Sequence, residues 1–146
     1  MDLKSETPNS PGSSRVSSDS TGPRQGSVAQ LLIEALAMQG VKRIYGLPGG
    51  GSSLDLIDAA GRRGMDFVLA RHEGAAVMMA AAEAELSGTL AAVLTTKGPG
   101  AANAVNGVAQ ASLDRAPVAV ITDGFTPQQL GTISHQVFDQ RAMLVP

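Results

Sequence analysis

The sequence predicts an α/β domain of three layers, a parallel sheet with helices on both faces. Three observations predict it. Short apolar runs alternate with helical stretches along the chain. The runs are too short for helices and are bounded by turn residues, as buried strands are. Helices between consecutive strands are the crossovers that parallel pairing needs.

The elements follow in order. Residues 1–26 are mostly Ser, Pro, Gly, Thr and charged residues, with scarcely an apolar side chain. Such a segment cannot bury enough surface to offset its ordering entropy, so a disordered tail is expected. A transit peptide is the rival reading of its many serines, and the acidic Asp2, Glu6 and Asp19 count against it. One domain is expected over 27–146. Ser27 and Gln30 have the spacing of a capping box, and Val28, Leu31, Leu32, Ala35 and Leu36 then recur at helical spacing. Gly40 stands where a left-handed residue ends a helix. Strands are expected near 43–47, 66–70, 90–95 and 117–122, and helices near 53–63, 74–87 and 101–113.

Composition narrows the rest. Apolar residues make up 43% of the chain but aromatics only 3%, so the core must be built from Ala, Val, Leu, Ile and Met. That favours thin helices lying close to the sheet. A net charge of -2, from 11 basic and 13 acidic residues, gives no electrostatic reason to expect nucleic acid. The lack of cysteine removes disulfides, thiolate chemistry and Cys-ligated zinc together. With no apolar stretch at the amino terminus and no run of about 18 apolar residues, a soluble, cytoplasmic protein is expected.

Ligands of an open parallel sheet bind outside the carboxyl ends of its strands. The loops expected there are Gly46-Leu47-Pro48-Gly49-Gly50-Gly51, Arg71-His72-Glu73-Gly74, Lys97-Gly98-Pro99-Gly100 and Asp123-Gly124-Phe125. Three are rich in glycine and one carries dense charge. Each has a plain reading. Glycines after strands make tight turns, and Glu73 at a helix start complements the helix dipole. His72 reads as a hydrogen-bonded packing residue, Tyr45 as packing, and Met78 and Met79 as core fillers. A phosphate loop, a dinucleotide fingerprint, a nucleophile elbow and metal-ligand spacing are all absent from these loops. The residues alone therefore give a ligand-binding edge and no chemistry.

Four motifs in order carry a resemblance: Tyr45-Gly46-Leu47-Pro48-Gly49-Gly50, Ala70-Arg71-His72-Glu73, Gly98-Pro99-Gly100-Ala101-Ala102-Asn103 and Asp114-Arg115-Ala116-Pro117-Val118. From Ser27 onwards the chain resembles the N-terminal, pyrimidine-binding domain of thiamine-diphosphate enzymes, in the acetolactate-synthase-like branch. The resemblance implies the thiamine-diphosphate-binding fold and a catalytic role for Glu73, which would share a proton with the cofactor's pyrimidine ring. A carboxylate among apolar helices suits such sharing. It implies that Pro48, Gly49 and Gly50 let backbone approach cofactor and substrate, and that Gly98, Pro99, Gly100 and Asn103 shape the pocket near the pyrimidine. Gln136 falls where relatives carry a glutamine near the substrate. Three departures concern the substrate rather than Glu73. Lys97 and Ala102 replace small hydroxyl or glycine residues, and His135 replaces an aromatic one. Lys97 is read as a solvated loop residue; pairing with an anionic substrate is the alternative.

The resemblance also implies what lies elsewhere. The family holds the cofactor's diphosphate, through a metal such as Mg2+, on a second domain with a Gly-Asp-Gly…Asn motif, and Thr122-Asp123-Gly124 is not that motif. The sequence stops at Leu144-Val145-Pro146, where the family's sheet has a further strand, so the domain is expected to be incomplete, a fragment truncated at its carboxyl end and, without the diphosphate domain, inactive alone. Its partner would be a second copy or a split subunit carrying the diphosphate domain. With that domain, decarboxylation of a 2-keto acid and carboligation are expected. A thiamine-dependent decarboxylase or lyase is the alternative within this class. A non-catalytic fragment that binds partner subunits is the alternative outside it.

Overall fold

The computed structural model describes residues 26–144. The expected disordered tail lies outside them but for Gly26. Helix α1 (Val28–Met38) starts as its sequence dictates. The Gln30 amide donates to Ser27 Oγ at 3.3 Å, and the Ser27 amide donates to Gln30 Oε1 at 2.9 Å. These bonds satisfy amides that have no partner inside the helix. Gly40 follows at φ 85°, the left-handed conformation expected of it.

Strand and helix then alternate: β1 (Arg43–Gly46), α2 (Ser52–Arg63), β2 (Asp66–Leu69), α3 (Glu73–Ser87), β3 (Ala91–Thr95), α4 (Pro99–Leu113) and β4 (Val118–Thr122). Two short helices, α5 (Pro127–Leu130) and α6 (Gln140–Leu144), follow. All four strands pair in parallel in the order β2-β1-β3-β4. Ile44 of β1 pairs with Phe67 of β2 on one side and with Ala92 of β3 on the other. The expected strands and crossover helices are all present, with bounds shifted by at most two residues.

Alternate residues of each strand serve opposite faces. Ile44, Ala92 and Leu94 pack with Ile33 and Leu36 of α1 and Leu56 and Ala60 of α2. Tyr45, Ala91 and Val93 pack instead with Ala76, Val77, Ala80 and Ala84 of α3 and Ala104 and Ala111 of α4. Helices thus cover both faces, in three layers. The α3–α4 layer is the thin one that the shortage of aromatics predicts.

One packing expectation fails. Met78 and Met79 are 37% and 38% exposed, so they are not core fillers. The buried stripe of α3 falls on Ala76, Val77, Ala80, Ala81 and Ala84, and the helical period turns the two methionines away from it. Among the described residues, no helix is long and apolar enough to cross a membrane.

Candidate functional site

The strand order creates one special place. The helix after β1, α2, packs on one face, while the helix after β3, α4, packs on the other. β1 and β3 are neighbours, so their loops diverge and leave a crevice at their carboxyl ends. Every loop singled out in the sequence ends at this edge.

Glu73 is the first residue of α3 and is only 7% exposed. The preceding residue, His72, caps the helix: its Nδ1 accepts the Gly74 amide at 3.1 Å. His72 is hydrogen-bonded as expected, but it is exposed rather than packed. Asn103, one turn into α4, donates from Nδ2 to Glu73 Oε2 at 3.2 Å. Glu73 Oε1 takes no hydrogen bond from the described residues. Beside it lies Gly100, where an added Cβ would come 3.4 Å from Oε1 and 2.7 Å from Thr96 Cγ2. Glycine at position 100 therefore puts no side chain against that unbonded oxygen.

The structure brings Glu73, Gly100 and Asn103 together. Gly98 caps α4 at φ 65°, and Pro99 takes the first helical position, where a missing amide costs nothing. A Cβ at Gly49 would overlap the Thr96 hydroxyl, so the loop after β1 lies against the end of β3. Pro48 and Gly50 are exposed at the same loop, and Gly50 has open space around it. Gln136 sits in a left-handed conformation at φ 61°, with its backbone against Gly98.

Sequence reasoning missed a second buried carboxylate. Asp123, 6% exposed at the end of β4, accepts from Ser52 Oγ at 2.6 Å and from Ser53 Oγ at 2.5 Å. Those serines open α2, whose N-cap Gly51 has no side chain, so Asp123 supplies the anion that this helix end favours. The signal was an Asp directly after a strand and a Ser-Ser pair at a helix start. Nothing in the sequence said that they meet. Lys97 is half-buried, with Nζ 4.9 Å from the centroid of the Phe125 ring, a cation–π pair that its loop position did not announce. Among the described residues, no group of three or more His, Cys, Asp or Glu could hold a metal ion.

A parallel sheet wound on both faces, with a buried carboxylate among the loops at its carboxyl edge, has the architecture of ligand-binding α/β domains. The family follows from comparison with known proteins. Residues 26–143 match the family described as "Thiamine pyrophosphate enzyme, N-terminal TPP binding domain", and the chain belongs to it. It is 41% identical over 112 residues to the acetolactate synthase isozyme 3 large subunit of Escherichia coli (strain K12), covering 76% of this chain and 19% of that protein. It is 40% identical over 125 residues to the acetolactate synthase large subunit of Lactococcus lactis subsp. lactis (strain IL1403), covering 85% and 21%. A probable acetolactate synthase large subunit of Methanocaldococcus jannaschii is 36% identical over 118 residues, covering 81% and 20%. The chain thus spans about a fifth of the length of these curated relatives.

Proposed function

We propose that the chain forms the pyrimidine-binding wall of a thiamine-diphosphate enzyme of the acetolactate-synthase type, acting on a 2-keto acid. One observation carries this reading: Glu73 is a buried carboxylate at the carboxyl edge of the sheet, with Oε1 unbonded among the described residues and no side chain at Gly100 against it. The residues present suit a flat, nitrogen-bearing ring. Oε2 is held by Asn103, which fixes the carboxylate plane and leaves Oε1 to receive or share a proton with a ring nitrogen. Gly98, Pro99 and Gly100 would shape the wall beside the ring, and Pro48, Gly49 and Gly50 would let backbone approach it. Gln136 would face the substrate side.

Bound thiamine diphosphate would supply the carbanion chemistry that decarboxylation and carboligation need. This chain's part is to bind and orient the ring and to hold a proton at Glu73 Oε1. In this reading the diphosphate and its Mg2+ are held by a separate domain, reached through a second copy or a partner subunit.

The experiment compares the wild-type chain with Glu73→Gln, each combined with a diphosphate-binding domain, thiamine diphosphate, Mg2+ and pyruvate. Glutamine keeps the shape and loses the proton exchange, so a drop in turnover of about 10²- to 10⁴-fold is expected, the usual worth of a positioned acid or base. Undiminished turnover would remove the role given to Glu73. No turnover in the wild-type assembly would favour a non-catalytic subunit-interaction module.

A further inference from the structure

The short helix α6 presents one side chain to two of the loops that wall the site. Gln140 Oε1 accepts the Gly98 amide at 2.6 Å, and Gln140 Nε2 donates to the Asp123 carbonyl at 3.1 Å. Gly98 ends the loop after β3, as the N-cap of α4, and Asp123 begins the loop after β4. One amide therefore ties together the loops that follow two paired strands. From Asp123 the tie continues through its carboxylate to Ser52 and Ser53, where the loop after β1 enters α2. From Gly98 it continues two residues to Gly100, beside Glu73 Oε1.

The chemistry of the two contacts is selective. A backbone amide needs an acceptor and a backbone carbonyl needs a donor, and a primary amide offers both at one end of one side chain. The partners are half-buried, so leaving them unpaired costs more than the net worth of the bonds. Nor would α6 hold itself in place, because five residues are far too few for an autonomous helix.

We propose that Gln140 is a positioning residue. It sets the Gly98-Pro99-Gly100 loop at the height that leaves Glu73 Oε1 unbonded, without touching Glu73 itself. The structural part stands alone; the consequence for the cofactor rests on the function proposed above.

Two variants of the full chain test it, with amide hydrogen exchange read at Gly98. Gln140→Met fills the same space with no donor and only a weak thioether acceptor, so exchange at Gly98 should quicken about tenfold relative to the wild type. Exchange at Leu94 in the sheet centre should stay as it is. Gln140→Glu keeps the acceptor and loses the donor, so Gly98 should remain protected. In the enzyme assembled with a diphosphate-binding domain, Gln140→Met should raise the thiamine diphosphate concentration needed for half-activation about tenfold, while the rate at saturating cofactor holds. Unchanged Gly98 exchange in Gln140→Met, or equal exposure in both variants, would overturn the positioning role. So would a lowered saturated rate with unchanged half-activation. Full activity of Glu73→Gln in the same assembly would instead remove the proposed function and leave the Gly98 exchange result standing.

Discussion

Alanine in place of Gly107 ought to stabilise an ordinary helix, by about 0.8–1.0 kcal/mol of backbone propensity. In this protein it should do the reverse. Gly107 lies where α4 crosses α3, and a Cβ there would come 2.6 Å from the Gly74 carbonyl oxygen and 2.7 Å from Val77 Cβ. Carbon atoms in good contact sit about 3.5–4.0 Å apart, so roughly 1 Å is missing. Neither neighbour is the loose end of a flexible side chain, so the helices themselves must separate. Overpacking of that kind costs about 1–3 kcal/mol, which exceeds the propensity gain. Gly61 in α2 is the control: it is exposed, and nothing lies within 4 Å of its added Cβ. Gly61→Ala should gain about 0.5–1 kcal/mol, and the gap between the two variants isolates the clash. In urea denaturation with a slope of about 2 kcal/mol/M, their midpoints should differ by about 0.5–1.5 M, one above the wild type and one at or below it. Equal gains from both would refute the close approach of α3 and α4. The strain would also reach the site, because Asn103 lies one turn before Gly107 and its bond to Glu73 is already 3.2 Å long.

Three further outcomes are expected. Asp123→Asn removes the charge beside the start of α2 and turns an amide nitrogen towards one of the two serines, so about 1–3 kcal/mol of stability should be lost. An unchanged urea midpoint would contradict the network. Thr95 is fully buried and its Oγ1 has no hydrogen-bond partner among the described residues, so Thr95→Val should be neutral or stabilising by up to about 1 kcal/mol. A clear loss would reveal a partner for the hydroxyl. Burial pushes the Tyr45 phenol above its ordinary value, with Glu83 adding to the rise and Arg43 opposing it. The neutral phenol is favoured in the folded state, so its contribution is complete below about pH 10 and is lost as pH rises through the folded value. Tyr45 is the only tyrosine and there is no tryptophan, so phenolate absorbance reports it alone. A midpoint at or below the ordinary value would sink this reading.

What the sequence disclosed and what it hid divide along a physical line. Most of what local pattern sets was legible. The capping box at Ser27, the left-handed Gly40 and the four buried strands depend on residues within a few positions of each other. The charged Arg71-His72-Glu73 loop was legible as a helix start for the same reason. Contacts between residues far apart were not. Ser52 and Asp123 are 71 positions apart, and Gly98 and Gln140 are 42 apart. Neither pair has a periodicity or a spacing to announce it. The Lys97–Phe125 pair was hidden for the same reason, because Phe125 comes from the loop after the neighbouring strand β4. Met78 and Met79 were misread through composition: apolar side chains were assigned to the core without asking which face of α3 the alanines occupy.

The two faces of the sheet explain why the site sits where it does. On the α1–α2 side, large aliphatic residues such as Ile33, Leu36, Leu56 and Leu94 fill the layer. On the α3–α4 side the layer is mostly alanine, and Gly74 meets Gly107 where the helices cross. Small residues let helix backbones approach closely, and here that closeness has a chemical consequence. Asparagine has a short side chain, so Asn103 can reach Glu73 only if the amino-terminal turns of α3 and α4 nearly touch. A layer packed with leucine would set the helices farther apart, and the carboxylate would lose the donor that orients it. The shortage of aromatics, which first suggested thin helices, is therefore tied to the site. The same small side chains that bring the helices together on the sheet also put an oriented carboxylate at its carboxyl edge.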